Sequence, residues 1–346
     1  MIGGGIGGFI GEIHRMAIRL DDRYELVAGA LSSEQSRSKE SAEQLGIRGY
    51  ATWQELLDQE KSNVNCIVIV TPNDSHAEIS TAALRAGYNV VLDKPMTRTL
   101  EEAKALAATA DSSNGDVAMT YTYTGYPMIR QMRERIQAGD IGNVRTVSVD
   151  YRQGWLAYPI ENDGHKQASW RTDPQKSGAG ALGDIGCHAE QLARFTTGLA
   201  IEQVRGDVHS VVKGRKVDDH ACVQLIMEQG VIGDLVCSQV CTGERNSVSI
   251  RVWGDKGSLS WNHNECDALK FITHDGIESI TFCSTNRAPS GHPAGFIEAF
   301  ANIYRDFADK LQGQEIAIVG IEDGLASMKF IDAVLKSQES QIWSKV

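Results

Sequence analysis

The chain has no surplus of positive charge: Lys and Arg number 34 against 45 Asp and Glu, a formal net charge of −11. Phosphate backbones and anionic membranes require such a surplus in their partners, so neither nucleic acid nor a membrane is expected to bind here. Paired cysteine spacing is missing as well. The seven cysteines, at 66, 187, 222, 237, 241, 266 and 283, are odd in number, lie mostly inside apolar runs and are nowhere spaced as CxxC. They read as reduced, buried thiols of a cytoplasmic protein. Long apolar runs are absent too. The opening MIGGGIGGFIG has no preceding cation and is broken by six glycines, so it resembles neither a signal peptide nor a spanning helix. Only Met1 and Ile2 precede those glycines, so a first strand there is either clipped or very short. Internal repeats and low-complexity linkers are likewise missing.

What is present suits two globular cores: 346 residues, 42% hydrophobic and 23% charged. As far as about residue 120, β-branched runs (ELVAGAL, CIVIVTP, NVVLDKP, VAMTY) alternate with helical patterns (SKESAEQLG, HAEISTAALRAG, LEEAKALAATA). That alternation predicts a parallel sheet wrapped by helices, an α/β Rossmann dinucleotide-binding domain over residues 1–122. Thr52 with Glu55 and Thr99 with Glu102 read as capping boxes, and Gly87 as a helix stop. Residues 123–346 then predict an α+β domain for substrate and oligomerisation. A helix opens at Pro127, a strand VRTVSVDYR follows, and an irregular loop runs from about 154 to 183. Beyond the helix DIGCHAEQLARFTTG, strands such as ACVQLIME, VIGDLVCSQ, SVSIRVWG, GSLSW and ALKFITH follow with only short turns between them. This predicts a large, mostly antiparallel open sheet. Two helices close the chain, the first with Phe296, Phe300, Ile303 and Phe307 on one stripe, and they are placed to pack back on the first domain. Both ACVQLIM and SVSIRVW carry apolar residues on each face, so one face of the sheet is expected on helices and the other on a second subunit, giving a homodimer or homotetramer.

Gly3, Gly5 and Gly8 match GxGxxG, with Ile6 inside the loop and helical spacing after it at Ile10, Ile13, Ala17 and Leu20. Glycines there let the backbone approach a pyrophosphate, and a helix start supplies N–H donors to hold it. The expected cofactor is NAD or NADP. At the end of the second strand, Ser32 and Ser33 replace the carboxylate that would take ribose hydroxyls. Glu34 is close, and Arg37 could meet a 2′-phosphate, so the choice between the two stays open. Ligands of such a sheet sit beyond the carboxyl ends of the strands. Two strands end in proline motifs, TPNDSH (Thr71, Pro72, Asn73, His76) and DKP (Asp93, Lys94), which places these residues near the cofactor and Lys94 toward the nicotinamide. In ALGDIGCHAEQ, Asp184 precedes His188 by four residues, which on an α-helix puts both on one face. Cys187 adjoins His188, but no further ligand set is spaced for zinc, so no metal is expected.

Together, the glycine loop, TPNDSH, DKP, the DxGxH helix, GWLAYPI, SWRTDPQKSGAGALGDIGCH and SGHPAGFIEAFANIYRDFA resemble the Gfo/Idh/MocA oxidoreductases, the glucose-fructose oxidoreductase and inositol dehydrogenase family, over nearly the whole chain. Asp93 departs from the glutamate usual there, keeping the carboxylate on a shorter stem. The resemblance implies that Lys94 and the Asp184/His188 pair meet above the nicotinamide. His188 would carry the alcohol proton, its ordinary pKa of about 6.5 suiting both directions. Lys94 would polarise the oxygen, and Asp184 would hold a second hydroxyl or set the lysine. Tyr123, Trp155, Trp170, Arg171 and His292, with Tyr158 and His165, are candidates to line a sugar, polyol or cyclitol. Arg171 could instead make an ion pair. The activity implied is an NAD(P)-dependent dehydrogenase acting on a CH–OH group. Two rivals keep the same fold: a redox-neutral enzyme that retains its nucleotide, of glycosidase or epimerase type, and a nucleotide-binding regulator without turnover.

Overall fold

The computed structural model describes residues 1–289, 292 and 295–346 and divides into two compact units, 1–122 with 296–325, and 123–295 with 326–346. In the first unit, Ile2–Gly3, Cys66–Val70, Asn89–Leu92 and Val117–Met119 form a parallel sheet in that order. Ile2 also bridges in parallel to Ala30, beside the strand Ala28–Gly29, which itself pairs with Arg48–Gly49. The first strand is thus two residues long, and it lies at the centre. Ile67, Ile69, Val90, Val91 and Leu92 are fully buried, as the near-continuous apolar runs of a sheet covered on both faces require. Helices Phe9–Leu20, Gln35–Leu45, Trp53–Gln59, His76–Arg85 and Leu100–Asp111 connect the strands.

Caps set where these helices start. Thr99 and Glu102 form the full reciprocal capping box. At Thr52 only half of the expected box is present: its hydroxyl accepts from the Glu55 N–H, while the Glu55 carboxylate accepts from the Ala51 N–H instead. Gly87, at φ 88°, stops the helix before it. The later helix Phe296–Leu311 belongs to this unit and packs on Phe9–Leu20, its Phe300, Tyr304 and Phe307 entering the same core as Ala17 and Ile18.

The second unit is built on a nine-stranded sheet. Its order is Glu278–Phe282, Ala268–Thr273, Gly257–Asn262, Ser247–Gly254, Val144–Arg152, Ile232–Ser238, His220–Met227, Ile201–His209 and Ser344–Lys345. All neighbours are antiparallel except Val144–Arg152 with Ile232–Ser238, so the sheet is mixed but mostly antiparallel. One face buries Val147, Val149, Tyr151, Val223, Leu225, Leu235, Ile250 and Val252, with helices Pro127–Gln137 and Cys187–Thr197 among the elements packed on this unit's core. The alternation of a strand sends the other residues outward. That face carries Arg205, Asp207, Cys222, Gln224, Asp234, Ser148, Asp150 and Arg251 beside Ile226, Ile232 and Trp253, so it is more polar than the run ACVQLIM suggests. Cys222 is exposed there, against the expectation of a buried thiol, because it occupies an outward position. No helix among the described residues is long and apolar enough to cross a membrane.

Candidate active site

In the first unit, strand order reverses between Ile2–Gly3 and Cys66–Val70, the point at which an open parallel sheet forms its crevice. The glycine loop lies there against Thr71. Gly3 sits at φ 79°, and a Cβ on it would stand 2.8 Å from Thr71 Cγ2. Gly11, one of the glycines left over by GxGxxG, proves as tightly placed: a Cβ on it would come within 2.3 Å of Gly4 Cα. The Arg15 guanidinium donates to the Gly4 carbonyl and ties the loop to the helix. Gly8 stands at the N-cap of Phe9–Leu20 with no side-chain cap, so the first-turn N–H groups have no side chain of their own to satisfy them. Bare backbone and uncapped donors fit the pyrophosphate of a dinucleotide. Ile6 is partly exposed in this loop, at 39%.

At the next strand end, the Ser32 hydroxyl accepts from the Glu34 N–H at 3.2 Å, and Ser36 donates to the Glu34 carboxylate at 3.0 Å. Arg37 is exposed in the first turn of Gln35–Leu45. Hydroxyls, one carboxylate and one guanidinium therefore share the edge where an adenosine ribose would sit.

The two proline motifs are joined by His76. Its ring is buried, with Nδ1 2.9 Å from the Pro95 carbonyl and Nε2 2.8 Å from that of Thr71, so the ring stands between the backbone of the two strand ends. Ser75 donates to Thr71 Oγ1 at 2.7 Å and to the Pro72 carbonyl at 2.9 Å, and Asn73 is buried in the turn. Asp93 is buried too. Its Oδ1 accepts from the Lys94 N–H at 3.0 Å and from the Thr120 hydroxyl at 2.7 Å. The shorter carboxylate thus acts on the backbone that presents Lys94, a half-buried residue whose bond to Pro95 is cis.

In the second unit, Asp184 and His188 do not lie on a plain α-helix. Leu182–Gly186 is a π turn, with the Cys187 N–H donating to the Leu182 carbonyl five residues back, and the α-helix Cys187–Thr197 continues from it. Such single wide turns recur at functional sites. Glycine permits this one: a Cβ on Gly186 would lie 3.1 Å from Cys237 Sγ on the neighbouring strand.

The turn sends the two side chains to different partners. Asp184 Oδ2 takes the Gln239 amide at 2.8 Å and the Arg171 Nε at 3.3 Å. Arg171 is therefore an ion pair, and it also donates to Gln167 and stacks on Trp170 at 4.2 Å. His188 lies edge-on to Tyr123 at 5.2 Å and tilted to Tyr151 at 6.2 Å. Around this, Tyr126, Trp261 and His263 complete an aromatic cluster. Tyr123 lies in the 3-10 turn Thr122–Gly125, beyond the last parallel strand.

A polar network spans the distance between the two. Gln239 donates to Gln153 Oε1 at 3.3 Å, and Trp155 Nε1 donates to the same oxygen at 2.9 Å. Gln153 Nε2 donates to Asn246 Oδ1 at 2.7 Å, which also accepts the Tyr151 hydroxyl at 2.8 Å. Asn246 donates to Tyr123 at 3.0 Å, and Tyr123 donates to Tyr151 at 2.9 Å. Burial, then Tyr123, pushes the Tyr151 hydroxyl well above its ordinary range, so it stays a neutral donor.

Sequence reasoning misses Tyr151, Gln153, Gln239 and Asn246. The strand parity of Tyr151 points it inward, and that is the one signal available. Of the remaining candidates, His165 lies 6.0 Å from Trp155 and caps Lys166–Arg171, and Tyr158 is 69% exposed. His292 is exposed, with Nδ1 3.1 Å from the Pro289 carbonyl. Ser290, Gly291, Pro293 and Ala294 of the same SGHPAGF stretch lie outside the described residues.

Comparison with known proteins follows this division of the chain. Residues 1–121 match the model of an oxidoreductase family with an NAD-binding Rossmann fold, and residues 129–260 match the GFO/IDH/MocA C-terminal domain. An oxidoreductase from Sinorhizobium meliloti is 37% identical at a TM-score of 0.90, with 99% of this chain and 98% of that one covered. An inositol dehydrogenase homolog from Azotobacter vinelandii, solved with NAD+, is 30% identical at a TM-score of 0.95, covering 100% and 96%. Levoglucosan dehydrogenase of Pseudarthrobacter phenanthrenivorans is 26% identical, over 84% of this chain and 80% of that protein. A nucleotide cradle at the switch point of one unit, a mixed sheet in the other and full-length likeness at these identities have one meaning: the chain belongs to the GFO/IDH/MocA family and is an NAD(P)-dependent oxidoreductase.

Proposed function

We propose that the chain moves hydride between the nicotinamide and a secondary alcohol of a neutral sugar, polyol or cyclitol, with His188 as acid and base and Lys94 polarising the oxygen. When bound, the cofactor supplies the hydride acceptor or donor. Gly3, Gly5, Ile6 and Gly8 hold its pyrophosphate, Ser32, Ser33 and Arg37 its ribose end, and Thr71, Pro72 and Asn73 line the path toward Lys94. His76 and Asp93 set the backbone of that path. His188 accepts the alcohol proton during oxidation and returns it during reduction. Lys94 donates to the same oxygen as its charge grows, a role in which a preset donor contributes about 3 kcal/mol. Asp184 takes a second hydroxyl of the substrate.

The observation that carries this reading is the frame around Asp184 and His188 within one unit: Arg171 and Gln239 bond the carboxylate, and the rings of Tyr123 and Tyr151, tied to Gln239 through Asn246 and Gln153, pack against the imidazole. With the Arg171 charge committed to Asp184, an uncharged substrate is favoured over a sugar acid or phosphate. Trp155 and Trp170 offer apolar ring faces to the CH side of such a substrate. The inositol dehydrogenase homolog and levoglucosan dehydrogenase among the relatives support this class.

The test is a panel of sugars, inositols and anhydrosugars offered with NAD and with NADP. Substrate-dependent appearance of reduced nucleotide is the expected result. Nucleotide that survives purification and cycles without net reduction would favour the redox-neutral alternative. We also assign the outward face of the large sheet to self-association, giving a dimer or tetramer, and the seven free thiols to a reducing, cytoplasmic setting.

A further inference from the structure

The network described above bonds the side chain of Asp184 and packs the rings of Tyr123 and Tyr151 on that of His188. It leaves open what holds the backbone turn that carries them. Two consecutive aspartates, Asp218 and Asp219, stand just ahead of the strand His220–Met227; neither carboxylate takes part in that network, and only the Asp219 main-chain carbonyl meets it, accepting from the Gln239 N–H at 2.8 Å. They hold different segments. Asp219 accepts from the N–H groups of Val211 and Val212 at 2.7 and 3.0 Å and pairs with the buried Arg215 at 3.1 Å. Arg215 in turn binds Glu161 and the carbonyls of Leu156 and Tyr158, so this aspartate secures the loop after Trp155.

Asp218 turns the other way. Its Oδ1 accepts from the Gly180 N–H at 2.7 Å, its Oδ2 from the Leu182 N–H at 2.6 Å, and its carbonyl from the Ala181 N–H at 2.9 Å. Three successive N–H groups leading into the π turn are thus held by one residue. The approach is close enough that a Cβ on Gly180 would fall 1.8 Å from the Asp218 carbonyl oxygen. The carboxylate occupies the place of an N-terminal cap, where negative charge also meets the positive end of the helix Cys187–Thr197 and its preceding turn.

We propose that Asp218 is a positioning residue of this oxidoreductase: by clamping the N–H groups of Gly180, Ala181 and Leu182 it sets the π turn that aims Asp184 and His188. The inference rests on the catalytic reading of those two residues. Loss of the clamp lets the turn relax, and a displacement of about 1 Å at a reacting group costs on the order of a hundredfold in rate. No contact between Asp218 and substrate or nucleotide is required.

The test compares Asp218→Asn with Asp219→Asn in the full chain. Both remove a carboxylate that accepts two backbone N–H groups, so both are expected to lower Tm. Asp218→Asn alone is expected to displace the imidazole titration of His188, followed by NMR of histidine-labelled protein and assigned with His188→Gln. It is also expected to lower kcat about tenfold to a hundredfold at unchanged NADH affinity, whereas Asp219→Asn acts chiefly on KM. Should Asp218→Asn fail to fold, Gly180→Ala pushes the same turn from the other side with the carboxylate intact and is expected to displace the His188 titration in the same way. An unmoved His188 midpoint in Asp218→Asn, or in Gly180→Ala where that variant stands in, overturns the proposal, as does an equal displacement in Asp219→Asn. The titration needs no substrate. Wild-type protein that turns over nothing in the panel would therefore count against the catalytic reading, while the NMR comparison still decides the role of Asp218.

Discussion

Gln153 is the residue on which the second unit's polar frame turns, since its carbonyl accepts from Trp155 and Gln239 while its amide donates to Asn246. Gln153→Ala leaves the Trp155 N–H and Asn246 Oδ1 each short of a partner, so a loss of about 1–3 kcal/mol is expected, read from urea unfolding, with a raised KM. His14 makes a different prediction. Burial pushes its pKa down to about 4, with the ring nitrogen Nδ1 2.6 Å from the Tyr304 hydroxyl. The unfolded chain takes up the proton near pH 6.5 and the folded chain only near 4, so in this window the unfolded state binds more protons. The stability is present in full above that window and is lost as pH falls through it, on the order of 3 kcal/mol in all. Urea melts across this range are expected to show the slope in wild type and a flatter one in His14→Gln. Equal slopes would assign the effect to other groups. Little of this was legible beforehand. The spacing of Gly3, Gly5 and Gly8 announces a nucleotide loop, and a histidine after an aspartate announces chemistry. Nothing in spacing marks Gln153, Gln239 or Asn246, whose importance comes from three distant segments meeting.

At the scale of elements, the sequence patterns that worked were those with a single physical cause. Thr99 and Glu102 announce a helix start because both partners lie within one turn, and Phe300, Ile303 and Phe307 announce a buried stripe because helical period alone sets it. Phe307→Ala is expected to cost about 3–5 kcal/mol, seen as a lower Tm, because the ring is fully buried in the core that this helix shares with Phe9–Leu20 and the parallel strands. Patterns failed where tertiary contact decides. The four-residue step from Asp184 to His188 reads as α-helical, yet close packing of Gly186 on Cys237 accompanies a π turn that sends the two side chains to separate partners. Likewise Gly11 looked spare and is held against Gly4. Gly11→Ala is expected to lift the loop off its helix and weaken NADH binding at least tenfold by fluorescence titration, with far-UV circular dichroism unchanged. Wild-type affinity would mean that the loop adapts at little cost.

For the molecule as a whole, alternation of strands with helices and then of strands with turns made the two fold types legible, because each follows from hydrophobic period along the chain. Assembly was less so. The outward face mixes Arg205, Asp207, Asp234 and Arg251 with Ile226, Ile232 and Trp253, a pattern that charge pairing and an apolar stripe between two copies would satisfy. Light scattering is expected to show a dimer or tetramer that Ile232→Asp weakens, and a wild-type monomer at working concentration would contradict this. The central claim is that Lys94 and His188 act on one alcohol oxygen. Its most direct measurement is turnover by Lys94→Ala and His188→Ala, on the substrate the panel identifies, beside their NADH affinity. The expected result is loss of turnover by a thousandfold or so in each with nucleotide still bound at wild-type strength; wild-type rates in either variant would contradict the account.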